Sequence, residues 1–391
     1  IVSYINQLFL LLINIVFFIS CTTNLPVFQN IDKESKYIEK PKISYVFRRL
    51  PNEINIFFSD SSKDEETKEF LKGFSVNYYF YKNSSNYQPQ INFINLDKLR
   101  NLDCKIGSLS KNYSIVFLNK RLSQGLPKNN CLDHLSKLKG IIVLSNNDEK
   151  VNSSNLLIFN VNRKEDYYNL LNYAKGTRSR DSIIIDDNNT KDKETLAKIW
   201  MGLEGNVLSS STSGREQNEK LLSDLLLREN SKSRARKLSR VLSIPLESTP
   251  RRRNDIDSLI LSVSLSKARS LKPALEYNYG ESIPVYLFPD WRNDEHYFNK
   301  EIDLEGTVLI DMPWMLLPSS TIKEKIEQSK TRNFAVGYDV YELILLLNNS
   351  SGIRNLFYDG MSGRIIQNQG KLIRHSLKVK IEKGNYKIIG F

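Results

Sequence analysis

Histidine and cysteine are the scarcest reactive residues of this 391-residue chain, with three of each. Three cysteines cannot build a zinc framework or a disulfide-dense scaffold, and no two of them form a Cys-x-x-Cys pair. His134, His296 and His375 lie far apart and in no metal-ligand spacing. No metal site and no cofactor are expected. The phosphate- and dinucleotide-cradling glycine motifs are missing, as is the zincin His-Glu-x-x-His. There is no Gly-x-Ser-x-Gly elbow either. Ser-x-x-Lys recurs, as at Ser108–Lys111 and Ser264–Lys267, but without a Lys-Thr-Gly partner it reads as chance in so Ser- and Lys-rich a chain. No catalytic residue is expected, and the chain is read as a binding protein.

Long hydrophobic runs are also absent. The apolar stretch at residues 8–19 is shorter than the roughly 20 residues a spanning helix needs. It fits the apolar core of a secretory signal. Phe18-Ile19-Ser20-Cys21 then has the form of a lipobox, which would place a lipid on Cys21 and remove residues 1–20. Thr22 is not the Asp of an inner-membrane retention signal, so an outer-membrane anchor facing the periplasm is expected. Residues 21–50 are polar and read as a tether. In an oxidising compartment Cys104 and Cys131 can pair, closing a loop worth about 3 kcal/mol, or remain two free thiols.

What is present is an ordinary apolar content, 40%, with a formal charge of +12. A sizeable core is possible, and the charge favours acidic partners. Short β-branched runs read as strands at Ile54–Ser59, Ile91–Leu96, Ser114–Asn119, Gly140–Ser145 and Leu156–Val161. Five more follow at Ser182–Asp187, Asn206–Ser211, Ser258–Ser264, Ile283–Phe288 and Thr307–Ile310. Such runs suit strands buried on both faces. Between them apolar residues recur with helical period: Tyr167, Leu170, Leu171, Ala174; Leu196, Ile199, Trp200, Leu203; and Val340, Leu343, Ile344, Leu347. Asp339 is placed to cap the last of these helices. Alternating strands and helices predict an α/β protein with two largely parallel sheets. From Gly363 to Phe391 the pattern changes to one expected of antiparallel strands. No internal sequence repeat is found.

An ordered set of motifs then resembles one family. They are Thr249–Asp257, Ala268–Leu275, Ile283–Tyr286, Asp311-Met312-Pro313-Trp314, Gly337–Leu343 and Gly360-Met361-Ser362-Gly363-Arg364. In this order they resemble the C-terminal domain of the LppC/LpoA family, lipoprotein activators of penicillin-binding proteins. The resemblance implies a type I periplasmic-binding-protein fold, with two Rossmann-like lobes joined by three crossing segments, near residues 159, 282 and 353. Lobe 1 would then be 51–158 plus 283–352, and lobe 2 would be 159–282 plus 353–391. The implied partner is a class A penicillin-binding protein, reached through the peptidoglycan. A periplasmic solute-binding lipoprotein for an amino-acid-like ligand is the alternative on the same fold. Better-known members carry a helical-repeat domain ahead of this one. Here about 30 residues separate Cys21 from the first strand, a reach of about 100 Å extended or near 30 Å as a coil.

Two segments are candidates for a partner or cleft surface. Arg251, Arg252 and Arg253 can grip carboxylates, or pair internally with Asp255 and Asp257. Asp311, Met312, Pro313 and Trp314 follow a strand, where a Trp is either an interface anchor or core. The basic stretch 228–240 reads as a solvated helix face; it lacks the aromatics that nucleic-acid stacking uses, and no nucleic-acid partner is expected. Asp186-Asp187 ends a strand, where Asp also simply favours a loop start.

Overall fold

The chain is described from a computed structural model for residues 51–58, 64–84, 87–95, 113–118, 139–144, 156–161, 163–187, 190–214, 218–291, 294–317, 330–349, 356–368 and 371–391. Cys21, Cys104 and Cys131, and the segments 1–20 and 21–50 expected to be a signal and a tether, lie outside these residues.

All ten expected strands form, within two residues of their expected starts. Among the described residues, five of them and one helix open the first lobe: β1 (Glu53–Phe58), α1 (Glu65–Ser84), β2 (Gln90–Asn95), β3 (Tyr113–Leu118), β4 (Lys139–Leu144) and β5 (Leu156–Asn160). They are parallel and ordered β2-β1-β3-β4-β5. The second series runs α2 (Lys164–Gly176), β6 (Asp181–Asp186), α3 (Thr190–Gly202), β7 (Asn206–Thr212), α4 (Asn218–Leu225), α5 (Arg228–Leu242), β8 (Ser258–Val263), α6 (Leu265–Tyr277), β9 (Val285–Pro289) and β10 (Val308–Asp311). Its strands are parallel and ordered β7-β6-β8-β9-β10, the same winding again. The duplication that residue identities hide is therefore plain in the topology.

Period-two alternation sorts each buried strand between two cores. In the second sheet Ile183, Ile185, Leu259 and Leu261 face one core with Leu222 and Leu271 of α4 and α6. Ile184 and Ile260 face the other, with Leu170, Leu171, Leu196 and Trp200 of α2 and α3. α6 continues through Pro273, which can donate no hydrogen bond to the preceding turn.

After β10 the chain forms α7 (Pro313–Leu316) and then α8 (Arg332–Asn349), which packs along α1 in the first lobe. A Cβ on Gly73 would fall 2.0 Å from the Phe334 carbonyl oxygen, and one on Gly337 2.0 Å from that of Phe70. These paired glycines let two helix backbones touch. The last strands are β11 (Phe357–Asp359), β12 (Arg364–Asn368), β13 (Lys371–His375), β14 (Leu377–Glu382) and β15 (Asn385–Gly390). β12 and β13 are antiparallel, as are β14 and β15. β13 adds to β5 in the first sheet, while β14 adds to β10 in the second.

Two expected boundaries are corrected. Residues 283–311 belong with the second sheet, since Leu259 of β8 is opposite Val285 of β9 and Tyr286 of β9 is opposite Val308 of β10. The second crossing therefore follows Asp311, not residue 282. The third passes through Ser376, between β13 and β14, not near 353, and β11–β13 belong to the first sheet. An apolar run shows that a strand is central without showing in which sheet it lies.

Candidate functional site

The crossings bring together side chains that are distant in sequence. Arg163 opens α2, Asp311 ends β10, Arg332 starts α8, and Arg374 sits on β13 just before the chain changes sheets. The Trp291 ring lies among three guanidinium groups, 5.0 Å from that of Arg374, 5.4 Å from that of Arg332 and 5.6 Å from that of Arg163. Each cation has an acid. Arg374 Nη2 donates to Asp166 Oδ2 at 2.7 Å. Arg332 donates through Nε and Nη2 to both Asp311 oxygens, at 2.9 and 2.6 Å, and through Nη1 to Asp294 at 2.7 Å. Arg163 lies 3.6 Å from Asp192.

Asp311 is fully buried, and burial alone would raise its pKa. The Arg332 guanidinium, with the hydroxyl of Tyr297 and the Met312 N–H donating to it, outweighs burial and holds the carboxyl below its ordinary value. Asp294 goes the other way: burial raises it against the pull of Arg332. Each guanidinium is thus met by at least one carboxylate of the cluster. Its hydrogen bonds and ion pairs fasten the crossings to one another.

Asp311, Met312, Pro313 and Trp314 are consequently not a partner or cleft surface. All four are buried. Asp311 is used up by Arg332, and Trp314 stacks on Phe334 with ring centroids 5.4 Å apart. Apolar burial and ion pairing consume the features that made this motif look like a binding site.

Asp339 does not cap its helix either. It lies buried in the middle of α8, where Oδ1 accepts the Met361 N–H at 2.8 Å and Oδ2 accepts the N–H and hydroxyl of Ser362 at 2.6 and 2.5 Å. Burial pushes its carboxyl up to about 7. A Cβ on Gly360 would collide with this carboxylate at 2.4 Å. The backbone N–H of Trp314 in turn donates to the Met361 carbonyl at 3.0 Å. Three motifs separated in sequence therefore close on one another as a single packed seam.

The arginine triplet divides three ways. Arg253 grips Asp255 bidentately at 2.7 and 2.5 Å, and Arg252 donates to Ser282 at 2.9 Å. Arg251 is exposed and forms no ion pair among the described residues. Asp257 instead accepts the N–H groups of Arg180 and Asp181, both at 3.0 Å. Asp186 is buried, accepts the Thr212 hydroxyl at 2.7 Å and lies 3.7 Å from the Lys193 ammonium. Sequence reasoning did not find Arg163, Asp166, Trp291, Arg332 or Arg374. Each stands alone in the sequence, and only the topology joins them.

Two doubly wound lobes joined by three crossings make up a fold of the periplasmic-binding-protein type. The family described as "LppC putative lipoprotein" matches residues 173–379, more than half of the chain, and the chain belongs to it. "Penicillin-binding protein activator LpoA" of Aliivibrio fischeri is 25% identical over 157 residues, 38% of this chain and 26% of that one. Its namesake in Vibrio cholerae serotype O1 is 24% identical over 186 residues, 44% of this chain and 30% of that one. The chain thus spans under a third of these relatives' length. Among solved structures, the LpoA C-domain of Haemophilus influenzae, "a regulator of PBP1A", shares the fold at a TM-score of 0.59 and 12% identity, covering 86% of this chain and 99% of that domain. An ABC transporter substrate-binding protein of Desulfitobacterium hafniense shares it at 0.50 and 12%, over 86% and 99%. No helix among the described residues is long and apolar enough to cross a membrane.

Proposed function

We propose that this chain is a lipoprotein of the outer membrane, anchored through Cys21 and facing the periplasm, that binds and activates a class A penicillin-binding protein. In this reading it acts through its surface, close to the peptidoglycan, and contributes no reacting group. The observation that carries it is the match to activators of penicillin-binding proteins within the region of the family match. The geometry supports it, because the crossing arginines are spent on internal aspartates, leaving their charge no solute to hold. Solute-binding relatives of the fold keep converging polar groups free for a ligand. Arg251 remains as a cation open to a partner.

The test is a reconstituted peptidoglycan-synthesis assay with a purified class A enzyme. Addition of this protein should raise the glycosyltransferase or transpeptidase rate. An unchanged rate, together with a thermal shift on adding a branched-chain amino acid, would turn the reading to solute capture.

A further inference from the structure

Between Leu227 and Asp255 no side chain is buried. This 29-residue stretch comprises α5 and a return segment, and it leaves the second lobe as an arm. Its two ends meet: the Arg253 N–H donates to the Leu226 carbonyl at 3.0 Å. Further up, the Arg251 N–H donates to the Ser231 hydroxyl at 3.0 Å and the Ser239 hydroxyl to the Ile244 carbonyl at 2.6 Å. Arg228 secures the base, lying 4.9 Å from the Tyr279 ring centroid and donating to Asn278.

The arm carries nine basic residues against Glu229, Glu247 and Asp255, a net +6 and half the charge of the whole chain. Its basic residues are also of an unusual kind. The whole chain has 35 lysines and 21 arginines, whereas the arm has two lysines and seven arginines. Arg234, Arg236, Lys237, Arg240 and Arg251 form no ion pair among the described residues. Beside them runs an uncovered apolar stripe: Leu238, Val241 and Leu242 on α5, then Ile244 and Leu246, with Val241 81% exposed. A groove of about 460 Å³ separates α5 from the return segment. Lys232, Arg236 and Arg240 line it, one turn apart, with Ala235 and Leu246 between.

We propose that this arm is the docking element for the protein partner, and that the partner presents Asp and Glu carboxylates around an apolar centre. The inference rests on the synthase-binding reading and names its contact surface. Arginine in place of lysine favours forked pairing with carboxylates over diffuse attraction to charge. An apolar centre ringed by arginine is the composition of protein interfaces. A bilayer surface fits less well: the arm has leucines for the acyl boundary but no Trp or Phe.

The experiment compares binding of the intact chain to a class A penicillin-binding protein ectodomain with binding to vesicles containing phosphatidylglycerol. R234Q/R236Q/R240Q should weaken synthase binding about tenfold, slow association and flatten its salt dependence. L238S/V241S should speed dissociation by about tenfold. K198Q/K300Q/K383Q removes the same charge elsewhere and should change little. Replacing 229–250 by a short Gly-Ser linker should abolish binding while the thermal transition persists. Wild-type synthase affinity in both arm variants overturns the inference and leaves the parent reading standing. Arm-dependent vesicle binding with unaltered synthase binding overturns it in favour of lipid. No synthase binding by the wild-type chain removes the parent reading and the arm assignment together.

Discussion

The crossing seam and the arm both depend on arginine, and they use it in opposite ways. In the seam Arg374 and Arg332 are 1% and 5% exposed and each meets a buried aspartate. In the arm Arg234, Arg236 and Arg240 face solvent and form no ion pair among the described residues. Removing one member of a buried pair strands a charge in a low-dielectric interior, whereas removing a solvated cation leaves water in its place. Composition alone does not separate these uses. Only the surroundings do.

That contrast can be broken by mutation. Arg374→Ala should have the largest effect, about 3–5 kcal/mol in urea unfolding, because Asp166 would be left buried without its cation. A loss below about 1 kcal/mol would mean that the seam is no more than a surface pair. Gly337→Ala should cost about 1–3 kcal/mol in the same measurement, since the new methyl meets the Phe70 carbonyl in backbone that cannot easily yield. A neutral outcome would show that α1 and α8 can separate freely.

Asp339 gives a pH-dependent test. Its folded-state pKa, about 7, lies above the ordinary 3.8, so the native state binds its proton more tightly than the unfolded chain does. The resulting stabilisation is complete below pH 3.8, declines as pH rises towards 7 and is gone above it. Asp339→Asn should remove this decline from unfolding free energies measured across that range. If wild type and variant run parallel, the carboxyl titrates normally. The smallest effect belongs to the arm, where R234Q/R236Q/R240Q should move stability by no more than about 0.5 kcal/mol in thermal melts at fixed salt. A larger loss would show that the arm packs as part of the lobe.

Much of the fold was legible because its strands are short, apolar and β-branched, and because Tyr167, Leu170, Leu171 and Ala174 keep a helical period. The change to antiparallel pairing after Gly363 could also be read from alternation. Sheet membership could not: Val285–Pro289 is equally apolar whichever sheet takes it. The motifs that carry the family resemblance were visible, but their roles were not. Asp311-Met312-Pro313-Trp314 has the composition of an exposed anchor, and it is buried because Arg332, 21 residues further on, supplies the countercharge. Asp339 resembles a cap until Gly360–Ser362 fold over it. In each case the decisive partner lies far along the chain, beyond the reach of local pattern.

The segment from Phe357 to Gly390 supplies a terminal strand group to each sheet, changing allegiance at a single residue, Ser376. While the chain folds, both sheets are therefore incomplete, with β5 and β10 open along one edge, until this stretch docks. Unpaired strand edges invite association with other chains. A copy cut near residue 350 would lack the completing strands of both sheets at once, so loss of this one segment should unsettle the two lobes together.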